Sequence, residues 1–268
     1  MRITRPRLIA LTAMCLALTV AGVAHAATGR SPSNAAEGYG SGQPSAPPCR
    51  VFGEAEVPGL CPPGGPLPTY TVHVTNNSSE FQDVILYQRL GDGSGPNVLS
   101  LAWLTAPAHP STTVTFTWTP EYSFEWSRTS PLRPGVVFRS EQSRSANPED
   151  LDRNSAVFED RGGRLGFSDG GRPSAPGTLA ITVAGSVPQD TAAVGVGMAG
   201  EPFAAVDALP NYNVIMAPRP DYWVAAGTFS KGEVLDLEEI VRTAALPFQG
   251  TFTLNAVLDS TGNWNISR

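Results

Sequence analysis

From Thr69 onward hydrophobic and polar residues alternate in short runs, and the clearest pair lies between Thr113 and Ser127. Val114, Phe116 and Trp118 alternate with Thr113, Thr115, Thr117 and Thr119. Beyond Pro120, Tyr122, Phe124 and Trp126 alternate with Ser123, Glu125 and Ser127. A period of two in β-branched and aromatic residues predicts two antiparallel strands, each with an aromatic face for a core and a hydroxyl-rich face for water. Thr119-Pro120-Glu121 supplies the tight return, because proline fixes φ and cannot donate to a ladder.

The pattern recurs along the chain. Tyr70, Val72 and Val74 alternate with polar residues, and Phe81–Gln88 returns across an Asn/Ser turn. Further strands are predicted over Val98–Leu104, Gly135–Ser140 and Thr178–Val183, over Ala192–Met198 with Phe203–Ala208, and over Asn213–Met216 with Tyr222–Ala226. Gly162-Gly163 marks a hairpin between Ala156–Asp160 and Arg164–Phe167, and Thr251–Leu258 with Asn263–Ser267 close the chain as another. Residues 232–243 differ: Val234, Leu237 and Val241 recur at helical spacing. The reading is all-β: a single large antiparallel β-sandwich of about a dozen short strands with one short helix near 232–243.

Composition places that body in a chain with a leader. Arg2, Arg5 and Arg7 precede an apolar run, Leu8–Val23, and Ala24-His25-Ala26 is a small-x-small cleavage site. Residues 1–26 therefore read as a secretory signal peptide. Residues 27–48, rich in Ala, Gly, Ser and Pro, read as a disordered linker, leaving 49–268 for the sandwich domain. Cys15 falls inside the leader. Cys49 and Cys61 are then expected to form a disulfide, since their spacing suits neither a metal site nor a redox motif, with the 49–68 extension either pinned along the domain edge or forming a small independent loop. The formal charge is −6, and loss of the leader's arginines makes the remainder more acidic. No basic run offers a nucleic-acid surface, and past the leader no apolar run is long enough to span a membrane.

Several motifs dissolve on inspection. Gly195, Gly197 and Gly200 spell a dinucleotide fingerprint, but a second β-like run follows where a helix is needed. They read instead as strand glycines under close neighbours. Gly166-Phe167-Ser168-Asp169-Gly170 spells a nucleophile elbow, but glycines and prolines follow it. Asp150, Asp152 and Asn154 open like a calcium loop, yet Arg161 stands where the bidentate glutamate belongs. His73 and His109 lack ligand spacing, so neither a metal nor a cofactor is expected. Glu121, Glu125, Asp207, Asp221, Glu238 and Glu239 could supply a glycosidase pair. Glu125 is the one catalytic candidate worth naming among them, mid-strand opposite Tyr122, Phe124 and Trp126, although such a residue is usually only the solvated face of a strand and no catalytic residue is assigned. Tyr222 and Trp223 are adjacent and must face opposite ways in a strand. One of them, together with Tyr212, is the exposed aromatic expected to stack on a ligand.

Ser100-Leu101-Ala102-Trp103, FTWTPEYSFEWS (116–127), PGVVF (134–138), VGVGMAG (194–200) and PNYNVIMAPRPDYWVAAG (210–227) together resemble the RhiA-type, rhizosphere-expressed bacterial proteins, from about Leu67 to the end. The resemblance implies no catalytic residue to carry over. The expectation is a secreted, non-enzymatic binding module for a surface glycan or protein, without cofactor and of open oligomeric state. The alternatives are a secreted carboxylate-dependent hydrolase and a self-associating extracellular structural protein.

Overall fold

The computed structural model describes residues 67–90, 94–219 and 221–268. The leader, the linker, Cys15, Cys49 and Cys61 lie outside the described residues. Within them the protein is built from seventeen strands in four sheets.

Sheet I runs in the order β17 (Trp264–Ser267), β16 (Thr253–Leu258), β1 (Tyr70–Asn76), β5 (Thr112–Trp118). Sheet II is β15 (Thr243–Ala245), β14 (Tyr222–Gly227), β2 (Gln82–Gln88), β4 (Leu104–Ala108). The edges of these two sheets meet on both sides, β4 beside β5 and β15 beside β17. Sheet III is β3 (Leu99–Ser100), β12 (Glu201–Asp207), β11 (Ala193–Met198), β6 (Tyr122–Ser127), β7 (Gln142–Ala146). Sheet IV is β13 (Tyr212–Met216), β10 (Leu179–Val183), β8 (Ser155–Asp160), β9 (Leu165–Ser168).

One core runs through all four sheets. Its centre is aromatic: Tyr70, Trp103, Trp118, Tyr222 and Phe248 pack with centroid separations from 5.1 to 6.1 Å. Phe124 and Trp126 of sheet III meet Phe167 and Phe158 of sheet IV. Phe116, Trp118, Phe124 and Trp126 are all buried, as the alternation requires.

The outer faces of sheets II and III are also covered. Leu132 and Phe138, from the segment between β6 and β7, pack with Leu101, Ala193, Ala205 and Val234 over sheet III. Leu235 joins Ile85, Tyr87, Ala102 and Ala225 over sheet II. Three successive residues, Leu101, Ala102 and Trp103, therefore feed three different clusters.

The all-β class holds, with four differences in detail, the first being that the strand expected over Gly135–Ser140 reduces to a single bridge between Val137 and Glu233. Two pairs are parallel: β1 with β16, and β8 with β10. The expected strand over Val98–Leu104 splits into β3 and the start of β4, because the chain crosses there from sheet III to sheet II. The helix expected over 232–243 is not formed. Gly232 takes φ 76°, and the backbone N–H groups of Gly232, Val234 and Leu235 donate to Ala102, Val136 and Ser100. Val234 and Leu235 are both buried, in different clusters. A strap that fills two pockets with consecutive side chains must be extended, and these tertiary contacts override the helical spacing.

The Gly162-Gly163 and C-terminal hairpins form where expected. Ala199-Gly200 makes a further tight turn between β11 and β12, with both φ values positive.

Candidate functional site

β6 is covered on both faces. Its even residues Phe124 and Trp126 enter the core, and its odd residues Ser123, Glu125 and Ser127 lie under the outer layer. Glu125 is 1% exposed, so the solvated strand face expected for it is corrected: the segment that follows β6 folds back over that face. Across the ladders Glu125 pairs with Ser143 of β7 and Gly195 of β11, while Ser123 pairs with Ser145 and Gly197.

Three hydroxyls converge on the Glu125 carboxylate. Ser123 Oγ donates to Oε1 at 2.5 Å and Ser143 Oγ donates to Oε1 at 2.8 Å. Ser140 Oγ donates to Oε2 from the covering segment. A carboxylate only accepts, so the hydroxyl protons of Ser123 and Ser143 point at it, while Ser140 Oγ lies within reach of both Glu125 Oε2 and the carbonyl of Gln142. Charge-assisted hydrogen bonds of this kind make burial of a carboxylate tolerable. No Lys, Arg or His nitrogen lies within ion-pair distance of it among the described residues.

Gly197 makes the room. A Cβ there would stand 2.7 Å from both Glu125 Oε1 and Ser123 Oγ, closer than carbon and oxygen tolerate. Gly195 is needed for a different reason, because its Cβ would lie 2.3 Å from the carbonyl of Ala204. The glycine-rich spacing of β11 is therefore a packing device.

Ser123 and Ser143 face a groove of about 530 Å³ at this end of sheet III. Leu67, Pro120, Glu121, Tyr122, Ser145, Ala146, Asn147, Arg153 and Gly200 complete its lining. The volume falls in the range of small-ligand sites, about 300–1,000 Å³. Arg153 is paired with Asp150 at 2.7 Å, and its hydrogen bond is the chief reason the Asp150 carboxyl stays below the usual carboxylate range. Burial first, then the charges of Tyr70 and Glu149, push the Tyr122 phenol up. The hydroxyl protons of Ser123 and Ser143 are committed to Glu125. Their remaining lone pairs make the groove floor an acceptor surface, which suits a ligand rich in O–H or N–H donors.

The other sequence candidates do not gather here. Tyr222 is buried in the central aromatic cluster, where burial pushes its phenol up. Trp223 points the opposite way, half-buried, with the Arg89 guanidinium 3.9 Å above its ring and its Nε1 donating to Asp221. Tyr212 is half-buried on β13, packed against the main core. Asp207 anchors the covering segment through Ser130 and Leu132, and Glu238 lines a different groove, with Arg89 and Ser100. Of the six carboxylates considered, the structure brings only Glu121 to the groove that Glu125 underlies. Ser140 and Ser143 were missed, and Gly197 was read as a strand glycine under a close neighbour but not connected to Glu125. The hydroxyl-rich stretches around β6 and β7 and the alternate glycines of β11 were the available signal. Among the described residues no cluster of His, Cys, Asp and Glu could hold a metal ion, and no helix is long and apolar enough to cross a membrane.

Fold and groove together define an all-β protein with a serine-floored groove on one sheet and a buried carboxylate beneath it. The chain belongs to the RhiA family, which it matches over residues 67–268. It is 33% identical over 208 residues to Protein RhiA of Rhizobium leguminosarum bv. viciae, covering 74% of this chain and 86% of that protein. No solved structure matches it.

Proposed function

We propose that this chain is an exported, non-enzymatic binding module that holds a hydroxyl-rich saccharide in the groove over Ser123 and Ser143. The observation that carries this reading is the pair of serine oxygens held in fixed orientation by a buried carboxylate at the floor of an open polar groove. Preorganised acceptors favour a ligand with many hydroxyl donors, because little side-chain freedom is lost on binding. The leader, with its basic start, apolar run and small-x-small site, supports export, and an oxidising compartment suits a Cys49–Cys61 disulfide.

Hydrolysis through Glu125 fits the geometry less well. Both of its oxygens already accept hydrogen bonds and it is sealed from solvent, whereas a general acid must reach the bond it cleaves. Glycan-array screening followed by calorimetry tests the reading. Ser143→Ala removes one exposed groove hydroxyl and should weaken the bound sugar by about fivefold, roughly 1 kcal/mol. A folded protein silent across the array would overturn the proposal.

A further inference from the structure

We infer that the groove is built for a ligand bearing a cationic nitrogen, which, resting on the saccharide reading above, is an amino sugar with its amine free. The first support is that Glu125 is buried with three hydroxyl donors and no cationic partner among the described residues. Hydroxyls relay such a charge without cancelling it, so the Ser123 and Ser143 oxygens present a negative potential to the groove. The second support is the lining. Glu121 adds a carboxylate, and the basic residue present, Arg153, is already paired with Asp150. The third is that the Ser123 and Ser143 hydroxyls both donate inward to Glu125, so these two floor oxygens are left to accept from a ligand. An ammonium brings three donors and the complementary charge in one group.

The test is isothermal titration of the full chain with two disaccharides of the same β-linked shape: that of glucosamine with free amines, and cellobiose, which carries hydroxyls in their place. At low ionic strength the amino sugar should bind at least about tenfold more tightly, and the advantage should shrink as salt is raised. Glu125→Gln keeps the shape and removes the charge, and should bring the two affinities together. If that variant fails to fold, Glu121→Gln on the exposed rim should reduce the advantage by a factor of about two to three. Equal binding of the two sugars to the unaltered protein overturns the cation assignment and leaves the saccharide reading standing. Failure of both to bind overturns the two together. A folded Glu125→Gln protein that keeps the full advantage removes Glu125 as its source. Lysyl-lysine binding as tightly as the amino disaccharide shows that the groove reads charge alone, and overturns the amino sugar.

Discussion

β5 and β6 are neighbours in sequence, carry the same alternation of aromatic and polar residues, and occupy different surroundings. In β5, Phe116 and Trp118 are buried while Thr113, Thr115 and Thr117 stand in solvent, with Thr115 Oγ1 2.9 Å from His73 Nδ1. In β6 the rings are buried too, but so are Ser123, Glu125 and Ser127. The difference lies in what comes next in the chain. β5 turns directly into β6, whereas β6 is followed by a segment that places Leu132 and Phe138 over its polar face. A polar residue on a strand thus means either water or a second layer with partners supplied. The protein has used the second case to seat a carboxylate beneath the serines of a groove.

That contrast can be broken or sharpened by substitution. Where the strands agree, the effects should be largest and similar. Trp118→Ala and Phe124→Ala should each lower unfolding free energy by about 3–5 kcal/mol in denaturant titration, since both empty a buried aromatic site. The inner faces should also share a pH response. Tyr222 packs on Trp118 of β5 and Tyr122 belongs to β6, and burial raises both phenols above their ordinary value. Their folded state holds the proton more firmly, so the stability they contribute is complete below the unfolded value near 10 and is lost as pH rises above it. Thermal melts should therefore fall steadily above about pH 10, by roughly 1.4 kcal/mol per pH unit for each of the two. A flat profile to pH 12 would mean that the phenols are solvated.

On the outer faces the strands should part. Gly197→Ala, which pushes a methyl into Glu125 and Ser123, should cost about 1–3 kcal/mol. The same change in a Glu125→Ala background should cost clearly less, and a double-mutant cycle measures the coupling. Glu125→Gln, which faces hydroxyl donors with an amide, should cost about 1–3 kcal/mol. Thr115→Ala at the equivalent place on β5 should stay within about 0.5 kcal/mol. Equal costs at Glu125 and Thr115 would erase the distinction between the strands.

Much of the strand layout was legible because period-two alternation reports a pleated element whatever it packs against. The Gly162-Gly163 hairpin was readable for a local reason as well, since positive φ at both turn residues favours glycine. The strap at 232–243 was misread because Val234, Leu237 and Val241 keep helical spacing while Val234 and Leu235 answer to two distant clusters. The parallel insertion of β16 beside β1 joins chain segments from opposite ends of the described region, and no local pattern announces it. The candidate site was half visible: Glu125 was singled out, with its surroundings inverted, and Tyr212, Tyr222 and Trp223 proved to be scattered.

The amino-acid order by itself determined the strand-built class, the aromatic faces and the family, because these follow from short-range periodicity and from residue blocks read in a line. Only tertiary structure decided that Glu125 is sealed beneath serines, that Gly197 makes space for it, and that a groove opens above. Burial is a property of whichever segment comes to rest on a face, and a strand's own residues do not record that segment's position.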